Sequence, residues 1–243
     1  MFLELKTESS FKHCYFEALK SRLALSSLQL EEIDSSLTDF NQSMQIYNQL
    51  QAISYIFNNH NEEPLSHMEF TNLLYELINK VTGGEITGFR TTEAIVSGSN
   101  VERSKPSMIR NDLWYLIDDY NYQIENCSSE RSLYEIEAQF HIRFLHIHPY
   151  EDGNGRAARV LLAYNLCKNN LAPCIITKET KKLYCTLIEK GDYIGLADLF
   201  ETLSKQEFNV MIAMYKELDK KGLILENKMS AEQLAEYETL KRG

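Results

Sequence analysis

The chain has 243 residues, 44% apolar and 25% charged, the composition of a globular protein long enough to bury a core. Acidic residues number 35 against 25 basic ones, a net charge of −10, which excludes the basic face of a general nucleic-acid binder and disfavours docking on an anionic membrane. No apolar run approaches the roughly 18 residues of a membrane span, the N-terminus lacks a signal-peptide layout, and five scattered cysteines form no CxxC pair; the sequence therefore predicts a cytoplasmic protein with reduced, mostly buried thiols.

Only four prolines and ten glycines interrupt the chain, and the apolar spacing is mostly helical. A first helix is predicted over 10–26, continued or followed by others to 57, where Ile46, Leu50, Ile53 and Phe57 share a face. Ser66 to Glu69 reads as a capping box, and the helix behind it buries Phe70, Leu74, Leu77 and Val81 before Gly83-Gly84 stops it. Residues 85–101 are rich in Thr and Val with Gly88 and Gly98 as turns, so they predict a short β-hairpin. Helices resume after Pro106 and over 132–148. The next, from Asn154, is apolar nearly all round and belongs in the middle of a bundle. Two more are expected between 179 and 217 and a last one over 230–240. The fold class is all-α with one small hairpin.

Residues 148–159, HPYEDGNGRAAR, concentrate the chemistry. Pro149 disfavours helical geometry at His148, so the preceding helix should end there and leave the imidazole in a loop mouth. Gly153-Asn154-Gly155 can turn successive N–H groups inward as an anion nest, and the helix that follows points its positive end at the same spot. Arg156 and Arg159, three apart, share a helix face and suit two phosphates. Asp152 adds a carboxylate able to hold Mg²⁺, and His148 can accept a proton near neutral pH. Each feature alone is ordinarily structural; their clustering within twelve residues points to a phosphate site beside a base. A metal site through His141, His146 and His148 is disfavoured, because His146 and His148 diverge at a helix end and no HExxH spacing occurs.

This stretch resembles the HPFx[D/E]GNGRxxR signature of Fic-domain proteins, with Tyr150 in place of Phe. Arg90 to Val96 resembles the family's flap hairpin, and Leu183 to Leu187, followed by Gly191-Asp192, resembles the segment that closes over the nucleotide. The resemblance covers about residues 66–205, with 1–65 and 206–243 as helical extensions. It implies transfer of AMP from ATP to a hydroxyl side chain of a protein. On that resemblance His148 is the base and Asp152 the Mg²⁺ ligand. Gly153, Asn154 and Gly155 form the anion hole, while Arg156 and Arg159 contact the β- and γ-phosphates. Tyr184 and Leu187 line the adenine side, and the flap residues Thr91, Thr92, Ala94, Ile95 and Val96 clamp the target as an added strand.

Ser27-Leu28-Gln29-Leu30-Glu31-Glu32 resembles the family's inhibitory motif, [S/T]xxxE[G/N], departing at Glu32. Ser27 and Glu31 are i, i+4 on a helix, so the resemblance implies that Glu31 pairs with Arg159 as a brake. The expected partners are ATP, Mg²⁺, a protein target and the protein itself through self-modification, with no nucleic acid or membrane. The C-terminal helices offer packing or a homodimer contact. The alternatives are transfer of another phosphate-linked group, removal of AMP, and a module that binds nucleotide without transfer.

Overall fold

The computed structural model describes residues 10–31, 40–58, 65–96 and 99–223. Eight α-helices account for most of them. These are α1 (Ser10–Leu30), α2 (Phe40–Asn58), α3 (His67–Thr82), α4 (Ile109–Glu125), α5 (Glu130–Ile147), α6 (Asn154–Lys168), α7 (Lys181–Lys190) and α8 (Tyr193–Lys220), with a 3₁₀ turn at Pro106–Met108. The expected helix at 230–240 and residue Glu32 lie outside the described residues.

Local signals set the ends. Ser66 caps α3 through its hydroxyl, Glu69 reaches back to the Ser66 N–H at 2.9 Å, and Gly83 closes the helix at φ 76°. That φ suits glycine, and Asn48 Nδ2 would lie 2.8 Å from a Cβ placed there.

The helices enclose two apolar clusters. The larger gathers residues such as Phe11, Ile53, Leu74, Leu113, Phe144 and Leu161. The smaller gathers Leu30, Tyr134, Leu166, Tyr184, Leu196 and Phe200. α6 lies between them, Leu161 facing one cluster and Leu162 and Leu166 the other. Its all-round apolarity thus has a direct cause, and from Gly153 to Leu166 Gly155 alone is not buried.

Two expectations are corrected. No strand forms among the described residues, so the β-hairpin at 85–101 is not seen; its expected turn residue, Gly98, lies outside them. The segment gives its polar groups to the neighbouring loop instead of to a cross-strand partner: the Arg90 N–H donates to the Pro149 carbonyl at 3.0 Å and the Ser104 N–H to that of His146 at 3.4 Å. The cysteines are free but not mostly buried. Cys174 is buried, Cys127 and Cys167 are half-buried, and Cys14 and Cys185 face outward from α1 and α7.

Candidate active site

α5 stops at Ile147, as Pro149 requires, and His148 adopts φ 51°, ψ 60°, its N–H donating to the Phe144 carbonyl at 3.0 Å. A left-handed conformation costs a non-glycine residue about 1 kcal/mol. It turns the chain sharply, so the imidazole sits half-buried at the loop mouth. Burial, helped by the charges of Arg103 and Arg90, lowers the His148 pKa to about 4, while a hydrogen bond with the Leu145 backbone opposes the shift. The ring is therefore neutral at pH 7 and able to take a proton.

The loop braces itself. The Tyr150 N–H donates to Asn154 Oδ1 at 3.1 Å, and Asn154 Nδ2 donates to the Tyr150 carbonyl at 2.7 Å. The Tyr150 ring is fully buried and packs on Phe89, with centroids 5.4 Å apart. Its hydroxyl has no hydrogen-bond partner, and burial raises its pKa. Asp152 accepts from the Gly153 N–H and from Arg156 Nη2, both at 2.6 Å, and its side chain stays 63% exposed.

Gly153 begins α6 at φ 83°, ψ −6°, and no side chain caps the helix. Its first amides thus stay available to an anion. A Cβ at Gly153 would lie 2.9 Å from Val81 Cγ2 and 3.0 Å from Thr82 Cγ2, so α3 forbids any larger residue.

The two arginines do not converge as their spacing suggested. Arg156 donates to the Val81 carbonyl at 2.7 Å and to Asp152, which ties it to the end of α3. Arg159 points to α1. Its Nε donates to Ser27 Oγ at 2.8 Å, and its Nη2 to the Ser27 carbonyl at 3.1 Å and to Glu31 Oε1 at 2.7 Å. Burial opposes the Arg159 charge most strongly, but Glu31 and Tyr184 together offset it and raise the guanidinium pKa. Glu31 Oε1 also lies 2.7 Å from where a Gly155 Cβ would be, so this carboxylate covers the glycine at the head of α6.

Tyr184 is buried; its hydroxyl meets His141 Nε2 at 2.7 Å and lies beside Arg159, burial raising its pKa to about 12. Leu187 is buried against the start of α8. In the flap segment Thr91, Thr92 and Glu93 are exposed, Ala94 and Val96 are half-buried, and Ile95 is 95% exposed. Two histidines are otherwise engaged: His141 with Tyr184, its pKa lowered by burial to about 3, and His146 with the Ile188 carbonyl at 2.9 Å.

Sequence reasoning missed several residues that shape this site. Arg90, which the sequence places in the expected flap hairpin without a role of its own, and Arg103 are both buried beside His148. Far along the chain, Glu207 of α8 receives the Tyr15 hydroxyl at 2.7 Å and both Arg22 Nη atoms at 2.6 and 2.5 Å, fastening α1. Ser26 donates to the Ile176 carbonyl. Arg22 and Glu207 each sit on an ordinary polar helix position, so no short-range signal pairs them.

The family model described as Fic/DOC matches residues 64–166. Over 120 residues the chain is 31% identical to a protein named protein adenylyltransferase Fic from Drosophila grimshawi and 30% identical to its namesake from Drosophila mojavensis. Each match covers 47% of this chain but 23% and 22% of those proteins, so the chain spans under a quarter of the curated relatives' length. Among solved structures, a Fic domain containing signaling protein from Bacteroides thetaiotaomicron superposes with TM-score 0.73 at 16% identity, covering 93% of this chain and 98% of that one. Fic-1 (aa134–508) from C. elegans superposes with TM-score 0.69 at 15% identity, over 86% and 66%. The bundle around α5 and α6 thus has the fold of Fic proteins, and residues 64–166 of this chain match the Fic/DOC family.

Proposed function

We propose that this chain is a protein adenylyltransferase, moving AMP from ATP to a hydroxyl side chain of a protein, with its own surface hydroxyls among the acceptors. The observation that carries the reading is a neutral imidazole, His148, five residues before an uncapped helix start at Gly153. The acceptor hydroxyl gives its proton to the free ring nitrogen of His148. Its oxygen bonds to the α-phosphorus, the bond to the bridging oxygen breaks, and pyrophosphate leaves. The α6 amides at Asn154 and Gly155, together with Arg156 and Arg159, neutralise phosphate charge, which is the main contribution a protein makes to such transfers. Arg156 reaches that role by exchanging its Asp152 contact for a phosphate, and Arg159 by leaving Glu31.

Asp152 suits Mg²⁺: its carboxylate is mostly exposed, and Mg²⁺ is ordinarily held by one or two carboxylates together with substrate phosphates and water. Mg²⁺ held there would neutralise the charge that develops on the phosphates. We assign the adenine side to the α7 face bearing Tyr184 and Leu187, and target docking to Thr91–Val96, where exposed Ile95 offers an apolar handle.

Glu31 acts in this reading as a brake, because it occupies Arg159 and lies over Gly155. The same placement gives a carboxylate that could hold water near a phosphate, which favours AMP removal as the second reading. Intact mass spectrometry after incubation with ATP and Mg²⁺ tests both readings. A gain of one AMP is expected, absent in His148→Ala and larger in Glu31→Gly. Equal gains in wild type and His148→Ala would sink the transferase reading; loss of AMP from modified protein by wild type but not by Glu31→Gly would establish removal.

A further inference from the structure

The last carbonyls of a helix lack partners within it, and α5 ends without a glycine to fold the chain back over them. Their partners can be followed one by one. Phe144 O accepts from the His148 N–H. Leu145 O accepts from Arg103 Nη1 at 3.4 Å, and His146 O from the Ser104 N–H at 3.4 Å. Ile147 O accepts from Arg90 Nη2 at 3.2 Å and His148 O from Arg90 Nε at 2.7 Å. Pro149 O accepts from the Arg90 N–H at 3.0 Å. Every carbonyl from Leu145 to Pro149 is therefore satisfied by segment 90–104.

Arg90 has the largest share. Its guanidinium also donates to Thr92 O at 2.7 Å and to Ser104 O, so it gathers four carbonyls from both ends of the flap segment and from the helix end. All its hydrogen-bond partners are backbone carbonyls, and the residue is only 3% exposed. A cation at a helix C-terminus is favourable, and the fixed fork of five N–H donors can meet several acceptors that a lysine ammonium cannot. The left-handed turn at His148 has neither a glycine nor a disulfide to enforce it; besides the His148 N–H bond to Phe144 O, Arg90 bonds the carbonyls on either side of the His148 Cα.

We propose that Arg90 is the positioning residue of this site, a helix cap supplied from the flap segment that fixes the His148 backbone and binds the flap to the base as one unit. This rests on the transferase reading for its kinetic consequence but not for its structural one. If the base and the flap are one unit, the hydroxyl clamped by the flap is presented to His148 in register, and a loss of Arg90 misplaces both without touching ATP.

The test uses Arg90→Lys and Arg90→Ala in the full chain, both in the Glu31→Gly background so that the brake does not mask rates. AMP transfer is expected to fall about 100-fold in kcat, the size of effect a misplacement of about 1 Å produces, with KM for ATP unchanged. Lysine should fail to restore it, and added guanidinium ion, kept below unfolding concentrations, should partly rescue the alanine variant. Hydrogen exchange should quicken at 91–104 and 148–150 while the middle of α3 and of α5 keep their protection. Unchanged exchange at those residues, or a raised KM for ATP with kcat intact, would overturn the proposal. If the parent transfers no AMP, the fault lies with the transferase reading, and the exchange measurement alone decides the role of Arg90.

Discussion

Two segments meet at His148 and are held by opposite means. Past Pro149 the loop is tied largely within itself: Tyr150 to Asn154, Asp152 to Gly153 and Arg156, each bond spanning four residues or fewer, with Arg156 adding one distant bond to Val81. In the flap segment Arg90, Arg103 and Ser104 instead reach the end of α5, about forty to sixty positions away. A loop of the first kind is specified mainly by a short sequence motif. A segment of the second kind has a shape only as long as α5 ends where it does. α1 extends the contrast, for its anchor on Glu207 and its contact with Arg159 span well over a hundred residues.

The contrast can be broken most forcefully at the distant ties. Arg22→Met leaves the 4%-exposed Glu207 carboxylate with Tyr15 alone, and breaking a buried pair from one side should cost about 3 kcal/mol. Urea unfolding measures it, and hydrogen exchange should rise in α1 while the loop 148–156 stays protected. Gly153→Ala attacks the local ties: a positive φ and contact with Val81 and Thr82 should cost about 2 kcal/mol and abolish transfer, with α1 exchange unaltered. If either variant disturbs both regions equally, the division between locally and remotely held segments fails.

A milder probe uses pH. Glu137, buried between α4, α5 and α6, accepts from Tyr120 at 2.6 Å and Asn165 at 3.0 Å, and burial raises its pKa to about 7. A carboxyl whose folded pKa is raised binds extra protons when folded, so stability falls as pH rises from the ordinary carboxylate range through 7. Between pH 6 and 8 the loss should be about 1 kcal/mol and should vanish in Glu137→Gln. His148, with its pKa lowered to about 4, is already deprotonated across that window, so the Glu31→Gly transfer rate should stay flat while stability declines. A rate that climbs steeply between pH 6 and 7 would show that the base is not held as described.

This division also explains what was legible in the sequence. The capping box at Ser66, the stop at Gly83, the helix end forced by Pro149 and the α6 start at Gly153 all depend on neighbours within a few residues, and each is read from a short window. The Ser27 and Glu31 spacing placed both on the side of α1 that meets Arg159, because i, i+4 geometry is local. Arg90 was unreadable because its meaning lies in carbonyls at 147 and 148, and a carbonyl has no letter in the sequence. The hairpin expectation failed for the same reason. Thr and Val propensity describes a pleated surface, whereas the acceptors that captured this segment belong to a helix end. Arg156 and Arg159 were correctly placed on α6, but what each reaches depends on α3 and α1.

The seat of α1 has a consequence for the order of events during synthesis. Tyr15 and Glu207 lie 192 positions apart, so the ribosome releases α1 long before its polar anchor exists. The His148 motif and its loop are complete some fifty residues before Glu207 emerges. Until then α1 has neither the carboxylate that fastens it nor a finished α8 to pack against. α1 is made before the loop it meets and is fastened after it, and a nascent chain passes through a stage in which residues 148–159 are complete and Glu31 has yet to reach Arg159.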